Sequence, residues 1–163
     1  MRTIVLAAVL TGVLSGAAAA QPLTRQWAWC RDDDPDRLIQ GCSAIIGSRR
    51  ETPGNLARAF FNRGRAWSDK GQQDRAIQDL NNAIRLEPNY PEAYNSLGVA
   101  HAGKGEYDQA VTSYDQAIRL DPNYAIALYN RALALQALGH KPEADRDFSQ
   151  AKQVGPRMTP AKE

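Results

Sequence analysis

The sequence predicts an all-α fold in which short helical hairpins stack side by side. Two observations carry this. Residues 57–90, 91–124 and 125–156 align without a gap at a shift of 34 residues, the third copy stopping two residues early. Within the copies, small and helix-breaking residues recur at fixed places: Gly71, Gly105 and Gly139; Ala76, Ala110 and Ala144; Ala83, Ala117 and Ala151; Pro88, Pro122 and Pro156. A period of this size marks units that cannot bury an apolar face alone and therefore pile on one another.

The elements follow in order. Arg2, an apolar run over 4–14 and Ala18-Ala19-Ala20 read as a secretory signal peptide over 1–20. The run is too short for a membrane span, and no stable span is expected once it is removed. The remaining chain carries 19 basic against 18 acidic residues and no run of five like charges, which argues against nucleic acid as a partner. Residues 21–56 form a degenerate first unit. In it Trp27 and Trp29 pack against the first helices, Pro35 opens a helix over 37–47, and Pro53-Gly54 breaks it. Asp32-Asp33-Asp34 reads as a solvated turn and helix start rather than a calcium site. Each regular unit then holds two helices, 91–104 and 107–120 in the second, with a glycine in the turn and a proline at the close. Residues 157–163 are a flexible tail.

Cys30 and Cys42 are the two cysteines, with eleven residues between them. After export they meet an oxidising compartment, which favours a disulfide. A metal site needs more ligands, since His101 and His140 lie far away in sequence. A catalytic thiol pair has a tighter spacing. Redox or metal handling stays open as a minor alternative.

The chain resembles the tetratricopeptide repeat. The second unit carries the pattern in Tyr94, Leu97, Gly98, Gly105, Tyr107, Ala110, Tyr114, Ala117 and Pro122. The first carries Phe60, Gly64, Trp67, Ala76, Leu80, Ala83 and Pro88, and the third Leu128, Ala132, Leu135, Ala144, Phe148, Ala151 and Pro156. The resemblance implies a right-handed α-solenoid with a concave groove lined by the first helix of each pair.

Differences between the copies are informative. Where two units have Ile77 and Val111, and Ile84 and Ile118, the third has Asp145 and Lys152, the polar outer face of a terminal unit. The seventh residue of each unit is Arg63, Leu97 and Arg131, and the twenty-third Asp79, Ser113 and Asp147. Arginine accompanies aspartate twice, predicting ion pairs Arg63–Asp79 and Arg131–Asp147 within their units.

No phosphate-binding loop or nucleophile elbow occurs, and the reading is of a non-enzyme without cofactor, catalytic residue or metal. His101 takes a packing position, and His140 sits in an inter-helix turn. The repeat phase directs Arg58, Phe61, Asn62, Arg65 and Asp69 to the groove from the first unit. Glu92, Asn95, Ser96 and Val99 follow from the second, and Ile126, Tyr129, Asn130, Leu133 and Gln136 from the third. Asparagines suit a peptide backbone, and Phe61 and Tyr129 offer apolar purchase. Some tetratricopeptide proteins clamp a terminal carboxylate with lysine, arginine and asparagine. The matching places here hold Phe61, Arg65, Ser96, Ile126 and Asn130, which do not make that set. The expected function is a periplasmic adaptor or scaffold for a peptide or partner helix, acting as a monomer or weak oligomer. The alternative is a permanent subunit of a cell-envelope complex.

Overall fold

The structure, a computed structural model, describes residues 23–155. The segments expected to be a signal peptide, over 1–20, and a tail, over 157–163, lie outside the described residues. Every regular element within them is a helix: α1 (Leu23–Trp29), α2 (Pro35–Ser48), α3 (Pro53–Asp69), α4 (Gln73–Leu86), α5 (Pro91–Gly103), α6 (Tyr107–Leu120), α7 (Ala125–Ala137) and α8 (Lys141–Val154). Consecutive helices pair into four hairpins, and each hairpin packs on the next through α2–α3, α4–α5 and α6–α7.

Local chemistry sets the boundaries. The Asp34 carboxylate accepts from the backbone N–H groups of Asp36 and Arg37, 3.0 Å each, and Pro35 follows at the first helical position of α2. The bond from Arg37 N–H leads in holding the Asp34 carboxyl below its ordinary range. Thr52 caps α3 in the same way, its Oγ1 accepting from Asn55 N–H at 3.3 Å. Inside each regular hairpin the first helix closes on a glycine with positive φ, +71° at Gly71 and similar at its two equivalents. Gly71 N–H returns to Ser68 O and Gln72 N–H to Trp67 O, satisfying carbonyls the helix leaves open.

The two helices of a hairpin meet through small side chains. A Cβ placed on Gly64 would stand 2.9 Å from Leu80 Cγ, and one on Gly98 would run into the Tyr114 ring. Ala76, Ala83, Ala110, Ala117, Ala144 and Ala151 are buried, with Leu80, Leu128 and Tyr114 filling the layers between.

The N-terminal hairpin obeys the same plan one turn out of phase. Helices α4, α6 and α8 begin at Gln73, Tyr107 and Lys141, steps of 34 residues, whereas α2 begins at Pro35, a step of 38 before α4. The difference lies in α3, which has 17 residues where α5 and α7 have 13. Its added first turn over 53–56 hides the fourth unit from a search at the fixed period. In phase, Trp29 takes the place of Trp67. Gln26 takes that of Gly64, and the small residue moves to the second helix as Gly41. A Cβ on Gly41 would stand 2.6 Å from Cys30 N and 2.7 Å from Gln26 O. Beside it Cys30 and Cys42 form a disulfide with Cα atoms 4.6 Å apart, both fully buried against Ile45 and Ala59.

Arg63 and Arg131 bind further than their own hairpins. Arg63 Nε and Nη2 donate to both carboxylate oxygens of Asp79 at 2.7 and 2.8 Å, while Nη1 donates to Ser43 Oγ of the preceding hairpin at 2.9 Å. Arg131 repeats this with Asp147, 2.7 Å to each oxygen, and with Asp115 of the preceding hairpin at 2.7 Å. Ser43 and Asp115 are equivalent once the extra turn is counted. Position six of the units behaves alike. Asn62 Nδ2 donates to Cys30 O and Asn130 Nδ2 to Asn95 Oδ1, 3.0 Å each, both across a hairpin junction. The middle junction differs: Leu97 and Ser96 stand at those places, and α4 meets α5 through Ala83, Ala93, Leu97 and their apolar neighbours. An exposed pair, Lys104 to Asp74 at 2.9 Å, is the ion pair that crosses it. The same lysine also holds Glu106 at 2.8 Å, and Glu106 meets His101 Nδ1 at 2.7 Å, so His101 is a half-buried partner of a carboxylate. Lys104 first, then His101, keeps the Glu106 carboxyl low. Asp145 and Lys152 are exposed on the outer face of α8.

Arg63→Ala leaves the Asp79 carboxylate buried without its cation, at a cost of about 2–4 kcal/mol. A double-mutant cycle with Asp79→Ala, read from urea unfolding, gives a coupling of about 1.5–3 kcal/mol; zero coupling makes them unrelated charges. Replacing Cys30 and Cys42 together by serine lowers stability by about 2–3 kcal/mol, because a loop of this size no longer restrains the unfolded chain.

Candidate partner-binding groove

The curvature follows from which helices touch. Helix α3 approaches α5 and α5 approaches α7, whereas α4, α6 and α8 do not reach one another. The first helices therefore form the tighter inner layer, and their solvent-facing residues line a concave surface.

Three rows of that surface can be followed from hairpin to hairpin. The second position of each unit is Arg58, Glu92 and Ile126. The ninth is Arg65, Val99 and Leu133, all exposed, with Val99 at 41% and Leu133 at 45%. The fifth is Phe61, Asn95 and Tyr129, and here the structure corrects the sequence reading. Phe61 and Asn95 are buried, while Tyr129 is 51% exposed. The fifth position faces the next inner helix, so α5 covers Phe61 and α7 covers Asn95. Among the described residues no hairpin follows α8, and Tyr129 remains open, its ring edge-on to Phe148 at 5.3 Å. The asparagines are corrected for the same reason. Asn62 and Asn130 spend their amide donors on Cys30 O and Asn95 Oδ1. Ser96 is half-buried, and Asp69 and Gln136 are exposed.

Phe61 forms the floor of a polar and aromatic cluster. Its ring lies 4.8 Å from that of Tyr90, and the Arg65 guanidinium stands 5.6 Å over it. Tyr90 and Tyr124 close successive units and were not legible as groove residues, although their recurrence at the last place of the unit was a usable signal. Burial, then the Glu92 carboxylate, pushes both phenols up to about 12, with Arg65 opposing at both and Arg58 at Tyr90. Glu92, Arg58, Arg65 and the two tyrosines thus share one electrostatic neighbourhood. Arg58 also lines a cleft of about 190 Å³ with Trp27, Arg31 and Asn55. Glu51 braces it, accepting from Trp27 Nε1 at 3.0 Å and Asn55 Nδ2 at 2.7 Å. No cluster of three His, Cys, Asp or Glu side chains suited to a metal occurs among the described residues. None of their helices is long and apolar enough to cross a membrane.

Residues 64–105 and 102–139 match the family model of the TPR repeat. The crystal structure of MamA superposes with a TM-score of 0.71 at 26% identity, over 81% of this chain and 75% of that one. The second TPR of Spaghetti (RPAP3), solved with the HSP90 peptide SRMEEVD, superposes at 0.60 with 26% identity, over 61% of this chain and 92% of that one. The first TPR of the same protein, at 21% identity and a TM-score of 0.62, shares the fold. No curated protein matches the sequence. The repeat match and the structural likeness support assignment of the array to the TPR repeat family.

The geometry separates groove residues by what they cost when shortened. Phe61→Ala empties a covered site and lowers stability by about 3–5 kcal/mol. Val99→Ser and Leu133→Ser each change it by about 0.5 kcal/mol or less. Denaturant midpoints for the three variants check the contrast.

Proposed function

We propose that this tetratricopeptide array is a non-enzymatic interaction module, an adaptor or scaffold that holds a segment of another protein along α3, α5 and α7. One observation carries the reading. Four large apolar side chains stand out as exposed among the described residues, and three of them, Val99, Tyr129 and Leu133, lie on the inner helices. These side chains are 41–51% exposed, so covering what remains open is worth about half of the 1.5–3 kcal/mol of a fully exposed one, and a partner that lies in the groove gains from all three. The RPAP3 domain, solved with a peptide, supports a peptide as the kind of guest.

The guest differs from a clamped terminal carboxylate. Of the places used for that purpose in some relatives, this chain has Phe61 covered by Tyr90 and Asn130 bonded to Asn95. Arg65 is the one remaining cation among them.

We place the protein outside the cytoplasm, in the bacterial periplasm. Two features support this: the signal-like pattern over 1–20 and the buried Cys30–Cys42 bridge, which suits an oxidising compartment. With both sulfurs sealed in the N-terminal hairpin, a structural staple is favoured over thiol exchange. The charged outer face of α8 supports a monomer or weak oligomer.

Cross-linking and capture from the native envelope tests the groove. The triple variant Val99→Ser, Tyr129→Ser, Leu133→Ser loses the captured partner, while Tyr107→Ser, which removes the fourth exposed apolar side chain on α6, keeps it. Equal capture by the two variants rejects the groove as the contact surface.

A further inference from the structure

We infer that the groove takes an extended protein segment with two unlike ends, carboxylates beside α1 and α3 and apolar side chains beside α7. The inference rests on the groove being the binding surface, as proposed above. At the first end Arg58 and Arg65 are exposed on α3, and the exposed Arg31 lines one cleft with Arg58, Trp27 and Asn55. Among the described residues none of the three is held in an ion pair, and Arg31 Nε donates only to the Trp27 carbonyl at 3.4 Å. This sets them apart from Arg63 and Arg131, whose guanidinium groups are consumed by Asp79 and Asp147. At the other end the inner face of α7 carries Ile126, Tyr129, Leu133 and Gln136, with no charge among them. Between the two ends stands Glu92 on α5, near enough to bear on Tyr90 and Tyr124. A carboxylate in the middle of the guest meets repulsion there, so the acidic residues are confined to the arginine end and the register is fixed by a penalty as well as by attraction.

The spacing gives the segment its length. Packed helices lie about 8–10 Å apart and an extended chain advances about 3.3 Å per residue. Two helix steps from Arg65 to Leu133 then correspond to about five or six residues between the carboxylate and the apolar side chains. Charge complementarity selects a partner segment of this kind over an all-apolar helix, which would leave three arginines unanswered.

Fluorescence anisotropy with labelled ten-residue peptides tests this on the full exported chain. The probes carry two aspartates at one end and leucine and phenylalanine at the other, joined by serine and glycine, and are made in both chain directions. Control peptides replace the aspartates by asparagine, or the apolar pair by serine. In one direction the two-ended peptide binds about tenfold more tightly than either control at low salt, and added salt erodes the aspartate share. Arg58→Glu with Arg65→Glu abolishes the preference for aspartate over asparagine while the apolar share persists, and Leu133→Ser does the reverse. Circular dichroism of both variants matches the parent, because the altered residues are exposed. Equal binding of aspartate and asparagine peptides, indifference to the charge reversal, or no binding of any probe overturns the two-ended guest. Capture from the envelope that depends on Val99, Tyr129 and Leu133 would then still stand, so the two failures are distinguishable. A uniform gain in affinity on truncation after Gly155 assigns the groove to the chain's own tail. Self-association that Leu133→Ser abolishes assigns it to a second copy, and either result also overturns the inference.

Discussion

Close crossing of two helices at side chains too small to hold them apart is the constraint from which the rest of this molecule follows. Gly64 lies under Leu80 and Gly98 under Tyr114, and in the N-terminal hairpin Gly41 lets α2 press on the backbone of Gln26 and Cys30. A hairpin closed so tightly has little interior. Its apolar residues must therefore be buried against the next hairpin, and repetition becomes a condition of stability. Repetition in turn creates an inner layer of helices, and the inner layer creates the groove.

Much of the fold was legible because every unit answers the same steric demand at the same place. Gly71, Gly105 and Gly139 recur because each turn needs a left-handed residue, and the alanines recur because each crossing needs a small one. The N-terminal hairpin was half-legible. One added turn of α3 shifts it by four residues, and the exchange of small residue between Gln26 and Gly41 removes the local signature. The partnership of Arg63 with Asp79 could be read from the way the residue types changed together. The third arm of each arginine could not, since Ser43 and Asp115 are chemically unlike and lie in phase only once the extra turn is known.

The groove was read less well, for a physical reason. Periodicity tells which way a side chain points, whereas exposure depends on what stands next to it. Phe61, Asn95 and Tyr129 share one position and one direction, yet two are covered by a neighbour and the third is open. Tyr90 and Tyr124, which feel the charges of Glu92 and Arg65, come from the ends of units, outside the helical pattern used to find the lining.

The polar ties between hairpins alternate along the array. Arg63 and Asn62 fasten the first junction, Arg131 and Asn130 fasten the third, and the second rests on alanine, leucine and aromatic contacts with one solvent-bathed lysine. Hydrogen bonds are directional and resist rotation, while apolar contact tolerates sliding. The array is thus tied by directional bonds at its first and third junctions and by apolar packing at its second, with the basic stretch of the cleft on one side of that packing and the most exposed apolar stretch on the other. In the proposed binding mode a guest laid along α3, α5 and α7 crosses the one junction among the described residues that lacks such bonds.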